Sequence, residues 1–323
     1  MHTVSLVVPV YQGAKTLAAL AAEIVPLTRE GLTPKGHSFR VTELVLVHDA
    51  GLDDSPAVMR TLAKEHAFVS LLFLSRNFGQ HAATLAGMAA TSGDWVVTLD
   101  EDGQYNPAEV PAMLDVALEG ARTHVIYGVP KNPPPHGFFR NAASGLAKRV
   151  FTVLLGKDAT SRFSSFRLIW GEVARSLAAY CGTGVYLDVA LSWVAGPGAA
   201  CPILTRDEGG RRSGYTVRAL FAHFWRMVLT SGTRPLKLIA GLGFLAVLFA
   251  VAFATWAIWE KLRGDVPVQG WTSLIIVVSF FSGCLLVSLG VIAEYLGLTV
   301  NVALGRPLFL VVSRATHEVG RLP

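Results

Sequence analysis

Two long stretches without a charged residue, both near the C-terminus, constrain the fold of this chain most strongly. Residues 238–259 and residues 266–293 contain no Asp, Glu, Lys or Arg. Because a helix rises about 1.5 Å per residue, either stretch can cross a hydrocarbon core of roughly 30 Å. A buried helical hairpin has the same pattern, but a chain of 323 residues offers little soluble shell to cover it. We therefore predict two transmembrane helices.

Composition and charge placement predict how these helices are oriented. Hydrophobic residues make up 52% of the chain and charged residues 16%, below the roughly 25% that is usual in soluble domains. Basic residues flank the two stretches on their outer sides, so the positive-inside rule places both termini in the cytoplasm. Residues 1–10 lack a basic signal-peptide region, and we expect a multi-pass protein of the inner membrane or another cytosol-facing membrane.

The positive charge is concentrated in one segment. Residues 206–237 contain seven basic and two acidic residues, a net of +5, which equals the formal charge of the whole chain. Such a segment beside a predicted span suits anionic lipid or phosphate, and it gives no reason to expect nucleic acid. The three cysteines are odd in number and lack metal-site spacing, which is typical of a reducing compartment.

Four short apolar runs alternate with helical patterns in the first hundred residues. The runs cover residues 4–10, 43–49, 69–75 and 94–100. Continuous apolar strands alternating with helices predict an α/β fold, in which a mostly parallel sheet carries helices on both faces. Ligands bind beyond the carboxyl ends of such strands, where Asp49, Arg76 and Asp100 are expected.

An amphipathic stripe precedes the first predicted span. Apolar residues between Val217 and Val228 repeat at helical spacing, with Arg218 and Arg226 off the stripe. This pattern favours an interfacial helix on the membrane, although a helix packed on the catalytic domain has the same stripe. We thus expect a cytosolic catalytic domain at 1–204, a basic loop and interfacial helix at 205–234, and a two-span hairpin with a cytosolic tail at 235–323.

The acidic triplet Asp100-Glu101-Asp102 ends the fourth apolar run. On an extended chain residues i and i+2 point the same way, so Asp100 and Asp102 can face one ligand while Glu101 faces elsewhere. Two adjacent carboxylates repel each other unless a cation or an organised set of donors neutralises them, and Mg²⁺ or Mn²⁺ bound to a sugar diphosphate supplies such a cation. A solvated acidic turn is the alternative interpretation of the triplet taken alone.

The motifs taken together resemble family 2 glycosyltransferases. They are Val8-Pro9-Val10-Tyr11, the Asp-Asp-Ser cluster at 53–55, Ser75-Arg76-Asn77-Phe78-Gly79-Gln80, and the Asp-x-Asp turn followed by Gln104 and Pro107. The pattern is most similar to the polyprenyl-phosphate glycosyltransferases, and it extends from Val4 through both uncharged stretches. The resemblance implies a GT-A-like, Rossmann-like catalytic domain.

The resemblance also implies the residues that bind the nucleotide-sugar donor. Pro9 and Tyr11 match the loop that contacts base and ribose, and Asp49 matches an acid that bonds the base. Asp102 matches the metal ligand of the Asp-x-Asp pair, and Gln104 matches a residue that helps hold the diphosphate. Arg76 and Asp100 complete the expected donor site. The donor is expected to be UDP- or GDP-linked.

A second group of residues matches the part of the family that holds the acceptor. Ser164 to Leu168 resembles the segment near the acceptor side of the sugar pocket. Arg206 and the stretch 210–215 resemble a loop that grips the lipid phosphate. The residues that we expect to contact the phosphate of a polyprenyl (undecaprenyl or dolichyl) acceptor are Arg140, Arg206, Arg211, Arg212, Ser213 and Tyr215. A positive-inside flank is the alternative interpretation of Arg211 and Arg212.

The implied reaction is a metal-dependent, inverting transfer of one sugar from the nucleotide donor to polyprenyl phosphate. A lipid phosphate is largely dianionic at neutral pH and needs no protein base. Asp188 is a candidate base, or merely a carboxylate at a helix N-terminus. We expect catalysis to depend on Asp100, Asp102, Arg206, Arg211 and Arg212, and a homo-oligomer is possible.

The chain departs from the family pattern around the expected nucleotide site. Gly13 stands where an acid is usual, His48 where a second acid is usual, and Ala50-Gly51-Leu52 where Gly-Ser-Thr is common. These departures surround the expected base and ribose, so they leave the identity of the nucleotide open and support the alternative of a non-catalytic nucleotide-binding membrane protein. A transferase that uses another lipid or a polysaccharide acceptor is the second alternative.

Overall fold

A computed structural model describes seven segments of the chain. They are residues 1–120, 123–131, 163–182, 186–195, 198–206, 234–263 and 270–315. The chain divides into two compact units, one of residues 1–217 with 307–323 and the other of residues 218–306.

The described strands of the first unit form one nine-stranded sheet. The strands are β1 His2–Val10, β2 Gly31–Leu32, β3 Ser38–His48, β4 Val69–Leu74, β5 Trp95–Thr98, β6 Val125–Pro130, β7 Arg167–Trp170, β8 Ala199–Ile203 and β9 Val311–Ala315. Their order is β8-β6-β7-β5-β1-β3-β4-β9, and the short β2 pairs with β3. The central strands β5, β1, β3 and β4 run parallel, whereas β7 and β9 are antiparallel to their neighbours.

Six described helices cover this sheet. They are α1 Leu17–Ile24, α2 Ser55–Glu65, α3 Gln80–Ala89, α4 Val110–Glu119, α5 Gly171–Tyr180 and α6 Leu187–Val194. Helices α1, α2 and α4 pack on one face of the sheet, and α3, α5 and α6 pack on the other. The strands are continuous apolar runs because both faces are buried. The predicted α/β fold with a mostly parallel sheet and helices on both faces is confirmed.

The second unit contains two long helices, α7 Arg234–Arg263 with 30 residues and α8 Trp271–Ala303 with 33 residues. Among the described residues, Phe280–Ala303 is long and apolar enough to cross a membrane, and Ile239–Phe253 is a shorter apolar stretch. The apolar stretch of α8 agrees with the second predicted span, and the first predicted span is not confirmed. The predicted interfacial helix at 217–228 lies outside the described residues.

The chain returns to the sheet after α8. Strand β9 pairs antiparallel with β4, in a register that places Phe73 opposite Ser313. The sequence pattern predicts a C-terminal tail at these residues and does not predict the strand within it. A single five-residue edge strand has no alternation long enough to reveal it, since its pairing partner lies more than two hundred residues earlier.

Gly87 on α3 marks a close approach between a helix and the sheet. A Cβ atom added there would lie 2.3 Å from Val7 Cγ1 and 2.9 Å from Val47 Cγ2. We expect Gly87→Ala to destabilise the fold by about 1–3 kcal/mol, because a packed core resists an added methyl group. Thermal unfolding in detergent measures this, with Gly31→Ala as control, since its Cβ would meet Phe39 at an ordinary 3.5 Å. An unchanged melting temperature for Gly87→Ala would contradict the packing.

Candidate functional site

The carboxyl ends of β1, β3, β4 and β5 meet at one edge of the sheet, and a cavity of about 390 Å³ opens there. Its size lies within the range of roughly 300–1,000 Å³ that is usual for ligand pockets. The structure thus brings together residues that the sequence assigned to a donor. The cavity is lined by Pro9, Val10, Tyr11, Asp49, Asn77, Gly79, Gln80, Asp100, Glu101 and Asp102.

Asp100 is held from two directions at the end of β5. Its Oδ1 accepts a hydrogen bond from the Gln80 side-chain amide, and its Oδ2 accepts one from Ser165 Oγ at 2.6 Å. Burial raises the pKa of Asp100, and the Ser165 hydrogen bond opposes that rise, while the Asp102 charge adds to it. Asp100 therefore joins α3 to the segment before β7, and its two oxygens are already engaged.

Asp102 is the residue that best fits a metal ion. It is exposed, and its Oδ1 accepts the Gln104 backbone N–H at 3.0 Å, so its Oδ2 can take a further ligand. In the described part of the chain, no three His, Cys, Asp or Glu side chains group as a metal site. The single carboxylate of Asp102 fits a Mg²⁺ or Mn²⁺ ion whose other ligands are substrate phosphates and water rather than protein.

Glu101 holds the start of the loop between β1 and α1. The backbone N–H groups of Tyr11 and Gln12 donate to its two oxygens, at 3.0 and 2.9 Å. Burial raises the pKa of Glu101, and the two backbone hydrogen bonds oppose the rise. The i, i+2 rule predicts that Glu101 faces away from its neighbours, but the rule assumes an extended chain. Glu101 lies in a turn, lines the same cavity as Asp100 and Asp102, and has this loop as its partner.

Gly13 and Ala14, the next two residues of the same loop, are held by side chains of the Asp-Asp-Ser cluster at 53–55. The backbone N–H of Gly13 donates to Ser55 Oγ at 2.9 Å, and that of Ala14 donates to Asp53 Oδ2 at 3.0 Å. Four successive N–H groups of this loop thus donate to side chains. The Asp-Asp-Ser cluster that contributed to the family resemblance therefore has a structural role beside the cavity.

Asp49 holds the loop that follows β4. It is 3% exposed, and its carboxylate accepts the backbone N–H groups of Phe78 at 2.7 Å and Gly79 at 2.8 Å. Burial raises the pKa of Asp49, and these two hydrogen bonds lower it. The resemblance assigns Asp49 to the nucleotide base. In the structure its carboxylate also fixes the backbone at the start of α3.

The departure at position 51 has a steric explanation, whereas the structure does not explain the alanine at position 50. A Cβ atom on Gly51 would lie 1.5 Å from the carbonyl oxygen of Tyr11, so only glycine fits. Ala50 takes φ +50°, a left-handed conformation that costs a residue with a Cβ about 1 kcal/mol or more. The loop after β3 is therefore shaped around Tyr11.

A smaller cavity of about 120 Å³ adjoins the larger one, and both are lined by Pro9, Gln80 and Asp100. Its lining includes a buried ion pair, in which Arg167 Nη2 lies 3.3 Å from Asp188 Oδ1. Burial raises the pKa of Asp188, and the Arg167 charge opposes this rise. Asp188, 3% exposed in the first turn of α6, is therefore both a carboxylate at a helix N-terminus and the partner of Arg167.

Arg206 lies beside the acidic turn. Its backbone N–H donates to the Gln104 carbonyl oxygen at 3.0 Å, and Tyr105 pairs with Thr205 in an antiparallel bridge. Its guanidinium forms an ion pair with Glu23 at 2.8 Å. The basic segment that begins at Arg206 therefore starts next to the expected diphosphate site, a proximity that the sequence did not reveal.

Several predicted site residues lie away from the two cavities or outside the described residues. Arg76 is exposed, its guanidinium lies 4.3 Å from the centre of the Phe78 ring, and it lines neither cavity. The residues of the acceptor prediction that lie outside the described residues are Arg140, Arg211, Arg212, Ser213 and Tyr215.

Known proteins match both this domain and the chain as a whole. The family described as glycosyl transferase family 2 matches residues 5–177. A protein named uncharacterized glycosyltransferase YkcC from Bacillus subtilis (strain 168) is 26% identical over 321 residues, covering 98% of this chain and 96% of that protein. The undecaprenyl-phosphate 4-deoxy-4-formamido-L-arabinose transferase of Sodalis glossinidius (strain morsitans) is 25% identical over 311 residues, covering 95% of this chain and 92% of that protein.

Solved structures share the fold. Glucosyl-3-phosphoglycerate synthase from Mycobacterium tuberculosis, in complex with uridine diphosphate, aligns with a TM-score of 0.50 and 18% identity. The alignment covers 72% of this chain and 80% of that structure. At this identity the likeness establishes the architecture of the sheet and helices alone, which agrees with the predicted GT-A-like fold.

The buried Arg167–Asp188 ion pair predicts how a single and a double variant change the free energy of unfolding. Asp188→Leu alone should destabilise the fold by about 3–5 kcal/mol, because it leaves a buried guanidinium without its partner. The double variant Arg167→Met with Asp188→Leu should recover most of that loss, since apolar residues of similar volume tolerate the same environment. Denaturant unfolding in detergent measures both. Equal loss in the single and double variants would mean that the pair is not coupled.

Proposed function

The chain belongs to glycosyl transferase family 2, and we propose that it transfers one sugar from a nucleotide-sugar donor to polyprenyl phosphate at the cytosolic face of a membrane. The observation that carries the proposal is the pair of adjoining cavities that meet at Asp100. The likeness over nearly the full chain to a relative named for undecaprenyl phosphate supports the choice of acceptor.

The larger cavity is the proposed nucleotide site. Tyr11 and Asp49 line the cavity, and Asp102 stands on the same rim. The sugar would then enter the smaller cavity, whose lining is polar and includes the Arg167–Asp188 pair. A polar lining suits a sugar, because hydroxyl groups of the substrate can replace water as partners of buried polar atoms. The proposed donor is a UDP- or GDP-linked sugar.

A divalent cation, Mg²⁺ or Mn²⁺, would bind at Asp102 and offset the charge that develops on the departing nucleoside diphosphate. The protein must also keep the turn that carries Asp102 in place. The Gln104 backbone N–H does this from within the turn, and the Arg206 backbone N–H does it from the neighbouring segment.

The acceptor needs positive charge and no protein base. A phosphate monoester is mostly dianionic at neutral pH, so one of its oxygens can attack the anomeric carbon directly. The bond to the nucleoside diphosphate breaks as the new bond forms on the opposite side, which inverts the configuration. Arg206, Arg211 and Arg212 are the proposed phosphate ligands, and Arg140 is a further candidate. In this mechanism Asp188 positions the sugar through Arg167. A dianionic phosphate has no proton to lose before it attacks, so Asp188 is not required as a general base.

The long helices α7 and α8 are the proposed membrane anchor, with both termini in the cytoplasm. Many of their described side chains are large, apolar and more than half exposed, such as Phe244, Phe249 and Leu286. Exposed apolar surface of this extent is favourable only in contact with lipid or protein. The domain organisation 1–204, 205–234 and 235–323 remains our proposal.

The metal assignment predicts the behaviour of Asp102→Ala. This variant should lose the Mg²⁺-dependent part of nucleotide binding and about 100-fold or more of transfer rate, because the leaving group loses its counter-charge. Calorimetric titration of UDP and GDP with and without Mg²⁺ measures the first effect. Glu119→Gln, an exposed acid at the end of α4, is the control. Unchanged turnover in Asp102→Ala would refute the assignment.

The acceptor assignment predicts the behaviour of a double variant in the basic segment. Arg211→Ala with Arg212→Ala should raise the apparent KM for polyprenyl phosphate about tenfold or more, because charged hydrogen bonds to the phosphate are lost. Donor affinity should stay nearly constant. Steady-state kinetics with each substrate varied in turn separates the two effects, and an equal loss of donor affinity would count against a dedicated acceptor loop.

The proposal as a whole is tested by incubating the full chain in detergent with radiolabelled sugar nucleotides and a short polyprenyl phosphate. Organic-soluble label is expected with one of the donors. No such label with any donor, in protein that still binds nucleotide, would favour a non-catalytic membrane protein and overturn the transferase.

A further inference from the structure

Glu101 stands in the middle of the acidic triplet, yet its contacts differ from those of its neighbours. Its two carboxylate oxygens accept the backbone N–H groups of Tyr11 and Gln12, one each. These donors lie 90 and 89 residues earlier in the chain. A carboxylate that binds two successive N–H groups fixes both the position and the orientation of that peptide segment.

Gly13 is the steric counterpart of this contact. A Cβ atom at position 13 would lie 2.5 Å from Glu101 Oε2 and 3.0 Å from Leu17 Cγ. Real side chains do not tolerate the shorter of these separations, so any other residue at 13 would displace the Glu101 carboxylate. The position of the Glu101 carboxylate therefore depends on glycine at 13, because the atom that a Cβ would meet first is the movable end of the Glu101 side chain.

The segment held by Glu101 carries a wall of the larger cavity. Tyr11 lines that cavity, and its carbonyl oxygen lies against Gly51, where no Cβ fits. Tyr11 is thus held by Glu101 through its N–H group and confined by Gly51 at its carbonyl. Glu101 belongs to the turn that carries Asp102. One turn therefore positions both the candidate metal ligand and the part of the cavity wall that contains Tyr11.

We propose that Glu101 is a positioning residue for the donor: it holds Tyr11 at the place where the nucleoside binds, and Gly13 leaves the space that this requires. The inference rests on the proposed function, because it assigns the larger cavity to the nucleotide. It gives the triplet three separate tasks. Asp100 joins α3 to the segment before β7, Asp102 is the candidate metal ligand, and Glu101 positions the loop that the proposal assigns to base and ribose.

Hydrogen exchange of the loop tests the contact without any substrate. In Glu101→Ala the amides of Tyr11 and Gln12 should exchange about tenfold faster or more, because they lose a charged acceptor. Glu101→Gln keeps one acceptor oxygen and should give an intermediate effect. Unchanged exchange in Glu101→Ala would overturn the proposal.

Glu43→Gln is the matched control for the exchange experiment. Glu43 Oε1 accepts the Ser5 hydroxyl and the Ser92 backbone N–H, so it also holds a backbone segment through a carboxylate. It lies on β3, away from the loop between β1 and α1. Exchange at Tyr11 and Gln12 should therefore stay unchanged in Glu43→Gln, and faster exchange there would mean that the loop responds to any loss of stability.

A double-mutant cycle tests the pairing with Gly13. Gly13→Ala should weaken nucleotide binding strongly in the native chain, but only slightly in the Glu101→Ala background, where its Cβ meets Leu17 alone. Additive effects in the cycle would contradict a shared space. Thermal unfolding gives a second readout of the same cycle in protein that binds no nucleotide.

Nucleotide binding separates positioning from a general loss of stability. In EDTA, Glu101→Ala should bind UDP or GDP at least about tenfold more weakly than the native chain, whereas the control Glu43→Gln should bind as the native chain does. The donor KM should rise and the acceptor KM should stay constant. Equal metal-free affinity in Glu101→Ala and native protein would refute the positioning role. If the native chain bound no nucleotide, the proposed function would be refuted. The hydrogen-exchange result would still show whether Glu101 holds the amides of Tyr11 and Gln12.

Discussion

Carboxylates that accept backbone N–H groups hold the loops at the carboxyl edge of the sheet, and the geometry of the site depends on them. Asp49 holds the loop before α3, Glu101 holds the loop after β1, and Asp53 holds a later residue of that loop. A loop at the end of a parallel sheet has no ladder to satisfy its N–H groups, and these carboxylates accept them in exposed as well as partly buried positions. Negative charge at this edge therefore has a structural task before any ligand binds.

The same arrangement has an electrostatic consequence. Burial raises the pKa values of Asp49, Asp100 and Glu101, and it does so although each accepts hydrogen bonds. An edge that gathers this much negative charge repels a sugar diphosphate unless cations accompany it. A divalent ion at Asp102 and the arginines that begin at Arg206 are the two sources of positive charge in the proposed mechanism. In this proposal the acidic turn serves the donor diphosphate through the divalent ion, and the basic segment serves the acceptor phosphate.

The sequence predicts the elements well where the signal is periodic and local. The four apolar runs correspond to β1, β3, β4 and β5, and the acidic triplet lies at the end of β5 as expected. The i, i+2 rule applies to an extended chain, whereas Glu101 and Asp102 lie in a turn and all three carboxylates of the triplet line one cavity. It cannot identify the partners of Glu101, because contacts across about ninety residues leave no local pattern.

Long-range contacts account for the remaining differences. The Arg167–Asp188 pair and strand β9 have no local signal, and Arg76 is expected at the cavity but packs on Phe78. The departures at Gly13 and Gly51 raise doubt about the nucleotide when only the sequence is considered. At Gly51 a Cβ atom would collide with the backbone of Tyr11, and at Gly13 it would displace the Glu101 carboxylate.

The central claim is that the acceptor is a phosphate, which attacks without a protein base and is held by arginines. The most direct measurement compares two acceptors that differ only at that group, a short polyprenyl phosphate and the matching polyprenol, with the same labelled donor in detergent. We predict organic-soluble product with the phosphate and none with the alcohol. Comparable product from both, or product from the alcohol alone, would contradict the claim.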